Sequence, residues 1–275
     1  PMRRSLLVFV LAMTCAGVHA QIPTDDPERE FGGRISYMVQ KPVSNGWAVF
    51  GEEELRTAGR MLNYMRSDLS GGVSYRLSKY FKTALRYTML TKVEYRTDIS
   101  FRHRLDCDFV GSYKTGPWRF SLRERMELTH HPGDANTWER PRNELDAKSR
   151  LKVAYKINKR WRPYVGAELK YTLNAPELEP LNYSKSMHRY LTPQGDIEGE
   201  PGWMIRGYNR QDLIRVRSLA GVEVRKNKKS SMKVYAMLDW DDNLDIDTNH
   251  SGTILKSLVY VSGYRLWLGV SVCKM

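Results

Sequence analysis

The sequence predicts an all-β chain, an exported antiparallel transmembrane β-barrel of about ten strands. Three observations carry that expectation. The chain opens on a signal-peptide pattern, apolar and polar residues alternate in run after run, and the connections between runs alternate between short and long.

The leader comes first. Arg3 and Arg4 precede the apolar run Leu6 to Met13, and Val18-His19-Ala20 offers the positions a signal peptidase reads, which places cleavage before Gln21. The run is too short to cross ~30 Å of hydrocarbon as a helix. Cys15 does not complete a lipoprotein signal, because Thr14 and Ala12 stand where a small residue and a leucine are required. Residues 1–20 are therefore expected to be a signal peptide. Residues 21–46, with prolines and mixed charge, are expected to be a periplasmic tail or short helix, and residues 47–275 the barrel.

Loss of Arg3 and Arg4 lowers the net charge of +13 by two. The basic residues scatter along an exported chain, which argues against nucleic acid as a partner. No later segment has the eighteen or more consecutive apolar residues of a transmembrane helix. Barrel strands escape that test, since their lipid-facing and lumen-facing residues average to a polar score.

The runs themselves have period two. Leu69, Gly71, Val73 and Tyr75 oppose Arg66, Asp68, Ser70 and Ser74; Leu105, Cys107 and Phe109 oppose Arg104, Asp106 and Asp108. Further on, Trp118, Phe120, Leu122 and Met126 oppose Arg119, Ser121, Arg123 and Arg125, with Glu124 a blemish on the apolar side. Leu151 and Val153 oppose Arg150 and Lys152; Val165, Ala167 and Leu169 oppose Gly166, Glu168 and Lys170; Val216, Ala220 and Val222 oppose Arg217 and Glu223. The last run sets Leu266, Leu268 and Val270 against Trp267, Gly269 and Ser271, and an opening strand is placed near Trp47 to Arg56. Tight basic connections fall near 78–80, 115–117, 157–160 and 226–230, and longer ones near 91–101, 130–143, 174–211 and 241–253. That asymmetry distinguishes periplasmic turns from external loops. With ten strands, both termini belong on the short-turn side. The 174–211 segment, with four prolines, reads as a long functional loop. A soluble lipocalin-like barrel also alternates, but with an apolar interior and no reason for its loops to segregate by length.

The polar face should line the lumen. Arg66, Asp68, Arg104, Asp106, Arg123, Arg125, Arg150, Glu168, Arg217 and Glu223 form the candidate charge network. In a small barrel, interdigitated guanidinium and carboxylate groups make a fixed plug or contact an acidic ligand. The function expected is thus a structural or small-ligand-binding envelope protein with a largely plugged lumen. The alternatives are a narrow anion-selective channel, and a lipid hydrolase or acyltransferase built on His250 and Ser251. Neighbouring residues on an extended chain point to opposite faces, which disfavours the enzyme. Adjacent His130 and His131 likewise do not converge on one metal. No cofactor is indicated, and Cys107 and Cys273 are expected to be unpaired. The partners expected are outer-membrane lipid and the barrel-assembly machinery, with the chain a monomer.

Several stretches carry a family resemblance: Glu53-Glu54-Leu55-Arg56-Thr57, Tyr64-Met65-Arg66-Ser67-Asp68, Val73 to Tyr80, Phe101 to Leu105, Arg119 to Arg125, and Ser149 to Val153 with Pro163-Tyr164. Together they resemble an uncharacterised family of bacterial outer-membrane β-barrel proteins, a domain of unknown function. The resemblance implies a barrel in the outer membrane and brings no activity or catalytic residues with it.

Overall fold

The computed structural model describes residues 28–58, 63–94, 98–131, 138, 140–180, 183–184, 189–192, 195–198, 203–227, 230–248 and 255–275. They form β-structure throughout. Eleven strands close a barrel: β1 (Glu28–Ser44), β2 (Trp47–Ala58), β3 (Asn63–Arg76), β4 (Phe81–Glu94), β5 (Asp98–Thr115), β6 (Trp118–His130), β7 (Asn143–Tyr155), β8 (Trp161–Pro180), β12 (Trp203–Arg225), β13 (Ser230–Thr248) and β14 (Leu255–Lys274). Three short strands, β9 (Tyr183–Ser184), β10 (Arg189–Thr192) and β11 (Gly195–Glu198), make a separate antiparallel sheet.

The closure departs from the ten-stranded expectation. Every barrel strand is antiparallel to its sequence neighbour in the ring, but β1 closes on β14 in parallel, with Glu28 opposite Gly263 and Val39 opposite Lys274. β1 descends to the short-turn end, so its first residue lies toward the long loops and not beside the C-terminal end of β14. Residues 28–44, expected to form a tail outside the barrel, are therefore its first strand. Pro42 is tolerated because the β1–β2 register shifts between Pro42 and Ser44. Asn45-Gly46 then turns the chain tightly, with Gly46 at φ 91°, a conformation open to glycine at no steric cost. Residues 1–20, expected to be a signal peptide, lie outside the described residues.

Two of the other tight connections are built on side-chain caps. Ser78 Oγ accepts the backbone N–H of Tyr80 and of Phe81, each at 3.1 Å, and Asn158 Oδ1 accepts those of Arg160 and Trp161 at 2.8 Å. At the opposite end the strands run further than the sequence suggests. Much of the expected 174–211 loop is strand, since β8 continues to Pro180 and β12 begins at Trp203. Bulges in the β8–β12 ladder at Ile205/Gly207 and Gly207/Arg210 absorb the irregularity beside Pro176. With β13 and β14, these strands raise one side of the barrel into a wall.

Polarity is reversed relative to a soluble barrel. The inner side buries charge, with Asp106 0% exposed, while the outer side presents Leu69, Phe109, Leu122, Val165 and Leu266, and Leu151 there is 53% exposed. Aromatic residues collect in two outer belts. Near the short turns, Trp47 packs on Tyr75 and Trp118 on Tyr155, both at 4.8 Å between ring centroids. Near the long loops, Tyr87 Oη lies 2.6 Å from His103 Nδ1, and Phe101 and Tyr171 are exposed. Along β8, Trp161 and Tyr171 are ten residues apart. That is roughly 33 Å of strand, or about 25 Å along the axis at a tilt of ~40°.

Candidate functional site

Alternation sends every second residue of each strand inward, and the register decides which of them meet. All ten candidate charges lie on the inner side of the wall, and the register gathers nine of them in the middle of the lumen. On β1–β3, Arg34 Nη2 donates to Glu54 at 2.5 Å, Arg56 Nε to the same carboxylate at 2.7 Å and Arg56 Nη2 to Asp68 at 3.1 Å, while Arg66 pairs with Asp68 from the far side. On β5–β7, Arg125 forks onto Asp108 at 2.6 and 2.8 Å and reaches Glu127 at 3.4 Å; Lys148 also donates to Glu127. Asp106 lies 3.0 Å from Arg104 and 3.5 Å from Arg125, held by charge without hydrogen-bond alignment.

Glu168 ties β8 to three other strands. Its oxygens receive Arg123 and Arg217 at 3.0 Å each, and Arg150. Arg217 also forks onto Asp239 at 2.6 and 2.7 Å, and Trp267 Nε1 donates to Asp239 at 3.1 Å. Planar guanidinium forks suit such shared carboxylates, and buried charges need partners of this kind. Glu223 stands apart near the short turns, with Arg225 at 2.7 Å and Arg162 at 3.6 Å.

The candidate network omitted several participants. Arg34 was hidden by placing the first strand at Trp47, although Asn45-Gly46 between two alternating runs is a hairpin signal. Lys148 and Lys170 were legible as inward residues, but not as partners of Glu127, Glu144 and Asp146. The histidines are dispersed: His131 Nε2 contacts Glu144 at 3.0 Å, and His130 Nδ1 contacts Asn143 at 2.7 Å. His250 and Ser251 lie outside the described residues. Cys107 and Cys273 are free thiols, the first on the outer side of β5 and the second on the inner side of β14.

The family model for proteins of unknown function DUF2490 matches residues 34–186. The chain belongs to this family. The DUF2490 match begins inside β1, so that strand is part of the family's domain, and it takes in Arg34, Glu54, Asp68, Asp106, Glu127 and Glu168. Arg217 and Asp239, which complete the lattice, come from beyond it. No curated protein matches the chain.

Two cavities are lined in part by the lattice. One of about 420 Å³ runs through the lumen, and among its lining side chains basic groups outnumber acidic ones by more than two to one. The other, about 870 Å³, lies toward the long loops, between Arg66, Arg102, Arg140, Asp212, Asp241 and Trp267. What this arrangement can do chemically is hold a lattice of ion pairs across the barrel and present net positive charge in both cavities.

Proposed function

We propose that this DUF2490 protein is a monomeric outer-membrane β-barrel, a structural or small-ligand-binding envelope component whose lumen is plugged by its Arg–carboxylate lattice. The observation that carries the reading is the reversed polarity: charge inside, and Leu, Val, Phe and Tyr outside between aromatic belts about 25 Å apart, the height of an outer-membrane apolar band. In water such an exterior would be a contiguous apolar patch far beyond what monomers expose. The partners that follow are outer-membrane lipid and the assembly machinery that inserts barrels. The long-loop end, with the β9–β11 sheet, then faces outward from the cell.

The test is fractionation with surface proteolysis and heat-modifiability on a gel. A mobility-shifted band in the outer membrane, clipped from outside within residues 181–202, supports the reading; recovery as a soluble periplasmic protein overturns it. The basic excess in the lumen favours a second reading, a narrow anion-selective channel. In a planar bilayer the plugged barrel stays silent, whereas stepwise anion-selective conductance replaces the plug with the channel.

A further inference from the structure

Toward the short turns, below the lattice, the lumen holds cations that the lattice does not neutralise. Lys152 lies three residues before Tyr155 at the end of β7, and Lys233 three residues after Ser230 at the start of β13. Both line the 420 Å³ cavity together with Arg123, Arg150, Tyr164 and Tyr235. Among the described residues neither lysine has a carboxylate at ion-pair distance; the Lys152 ammonium stands 3.6 Å over the Tyr164 ring. Arg123 and Arg150 have one carboxylate between them, that of Glu168, and share it with Arg217. Arg123 Nε is buried and has no hydrogen-bond partner.

Four cations in one confined chamber repel one another, and an unmatched buried donor costs free energy until something accepts from it. An anion with several oxygens answers both demands. Arginine forks match phosphate geometry and lysines add point charge, while the two tyrosine rings offer an apolar platform with polar tips. The chamber is the short-turn end of the 420 Å³ cavity, which also reaches the lattice and the long-loop residues Arg102, His131 and Arg140, and that whole volume is in the small-molecule range of ~300–1,000 Å³. Strand pairing is continuous around the barrel, so an occupant enters along the axis and not sideways from the lipid.

We propose that this lower chamber binds a small soluble phosphorylated compound, with Lys152, Lys233, Arg123 and Arg150 on the phosphate and Tyr164 and Tyr235 against the rest of the molecule. This deepens the ligand-binding reading above and rests on the closed barrel, not on its cellular address. The experiment is calorimetric titration of the full barrel, folded in neutral detergent at low salt, with pyrophosphate. Saturable binding is expected, weakened about tenfold for each of Lys152→Gln and Lys233→Gln, the equivalent of one charge-assisted hydrogen bond each. Lys152→Arg, which keeps the charge, retains binding, as does the turn-lysine pair Lys159→Gln with Lys226→Gln. No saturable binding by the wild-type barrel, or equal loss in the lumen and turn variants, overturns the proposal. Heat-modifiability of every sample separates loss of binding from loss of fold. Binding that persists in a protein found outside the outer membrane removes the membrane reading and leaves this one standing.

Discussion

Replacing Glu168 by glutamine keeps the shape of the side chain and removes the charge on which three arginines converge. Glu168 is 2% exposed, and Arg217 and Arg123 each donate to it at 3.0 Å with Arg150 beside them. Removing one side of a buried ion pair costs ~3–5 kcal/mol, because the partner is left charged and dry. Two features place the expected loss at the lower end. Arg123 and Arg150 are 21% and 29% exposed, so lumen water screens them in part, and Arg217 keeps its fork on Asp239. The figure is about 3 kcal/mol, which for a urea dependence of ~2 kcal/mol per molar moves the unfolding midpoint down by about 1.5 M. Tryptophan fluorescence and loss of the heat-shifted band, followed together in lipid vesicles, measure it. Adding Arg150→Gln to Glu168→Gln should return about 1 kcal/mol, since it relieves the repulsion the first change created. A Glu168→Gln midpoint indistinguishable from wild type would refute the idea that this carboxylate holds β6, β7, β8 and β12 together.

On the outer side the same chemistry should have the opposite sign. Glu124 faces outward, with Ser149 Oγ donating to it; Glu124→Leu is expected to stabilise the barrel in vesicles by roughly 1 kcal/mol, less than the ~2–4 kcal/mol carried by Arg or Lys at the midplane, and a loss of stability there would argue against a lipid-facing exterior. Gly269 lies where an added methyl would meet the Tyr235 ring, so Gly269→Ala should cost about 1–3 kcal/mol by overpacking, and much less in a Tyr235→Leu background. Ser36 and Ser271 are opposed on the parallel β1–β14 seam; cysteines at both positions, in a Cys107→Ser, Cys273→Ser background, should cross-link on oxidation and change mobility on an unreduced gel. Absence of that cross-link in a folded barrel would mean that β1 does not close the ring.

Alternation made the lumen legible because its polarity is unambiguous. Along β5, Arg104, Asp106 and Asp108 alternate with Leu105, Cys107 and Phe109, and no register is needed to see which set is buried. Pairing is a different matter. Arg123 finds Glu168 across 45 residues and Arg217 finds Glu168 across 49, and those meetings depend on how far each hairpin slides against the next. A slide of two residues preserves every inward-facing assignment while changing every partner. The upper strands were hidden for a related reason. Pro176 and the glycines of the 174–211 stretch argue against regular strand, yet bulges let a ladder pass such residues with its pairing intact.

The miscount of one strand bears on the lumen. β2 ascends from the short turns and β14 descends to them, so the ten strands read from the sequence would form an even, wholly antiparallel ring. β1 lies between them at the cost of a parallel pairing, somewhat weaker per residue than an antiparallel one. Its inward Arg34 bridges the seam, donating to Glu54 on β2 while its guanidinium lies 5.8 Å from the centre of the Trp267 ring on β14. Barrel diameter grows roughly in proportion to strand number, and eight strands already have an interior that side chains just fill. Eleven exceed what these side chains can pack solid. The lattice therefore leaves space in the lumen, and at the short-turn end of that space Lys152 and Lys233 stand, among the described residues, without a carboxylate at ion-pair distance. The extra strand and the space around these lysines follow from the same geometry, since it is the wider ring that the inward side chains do not fill.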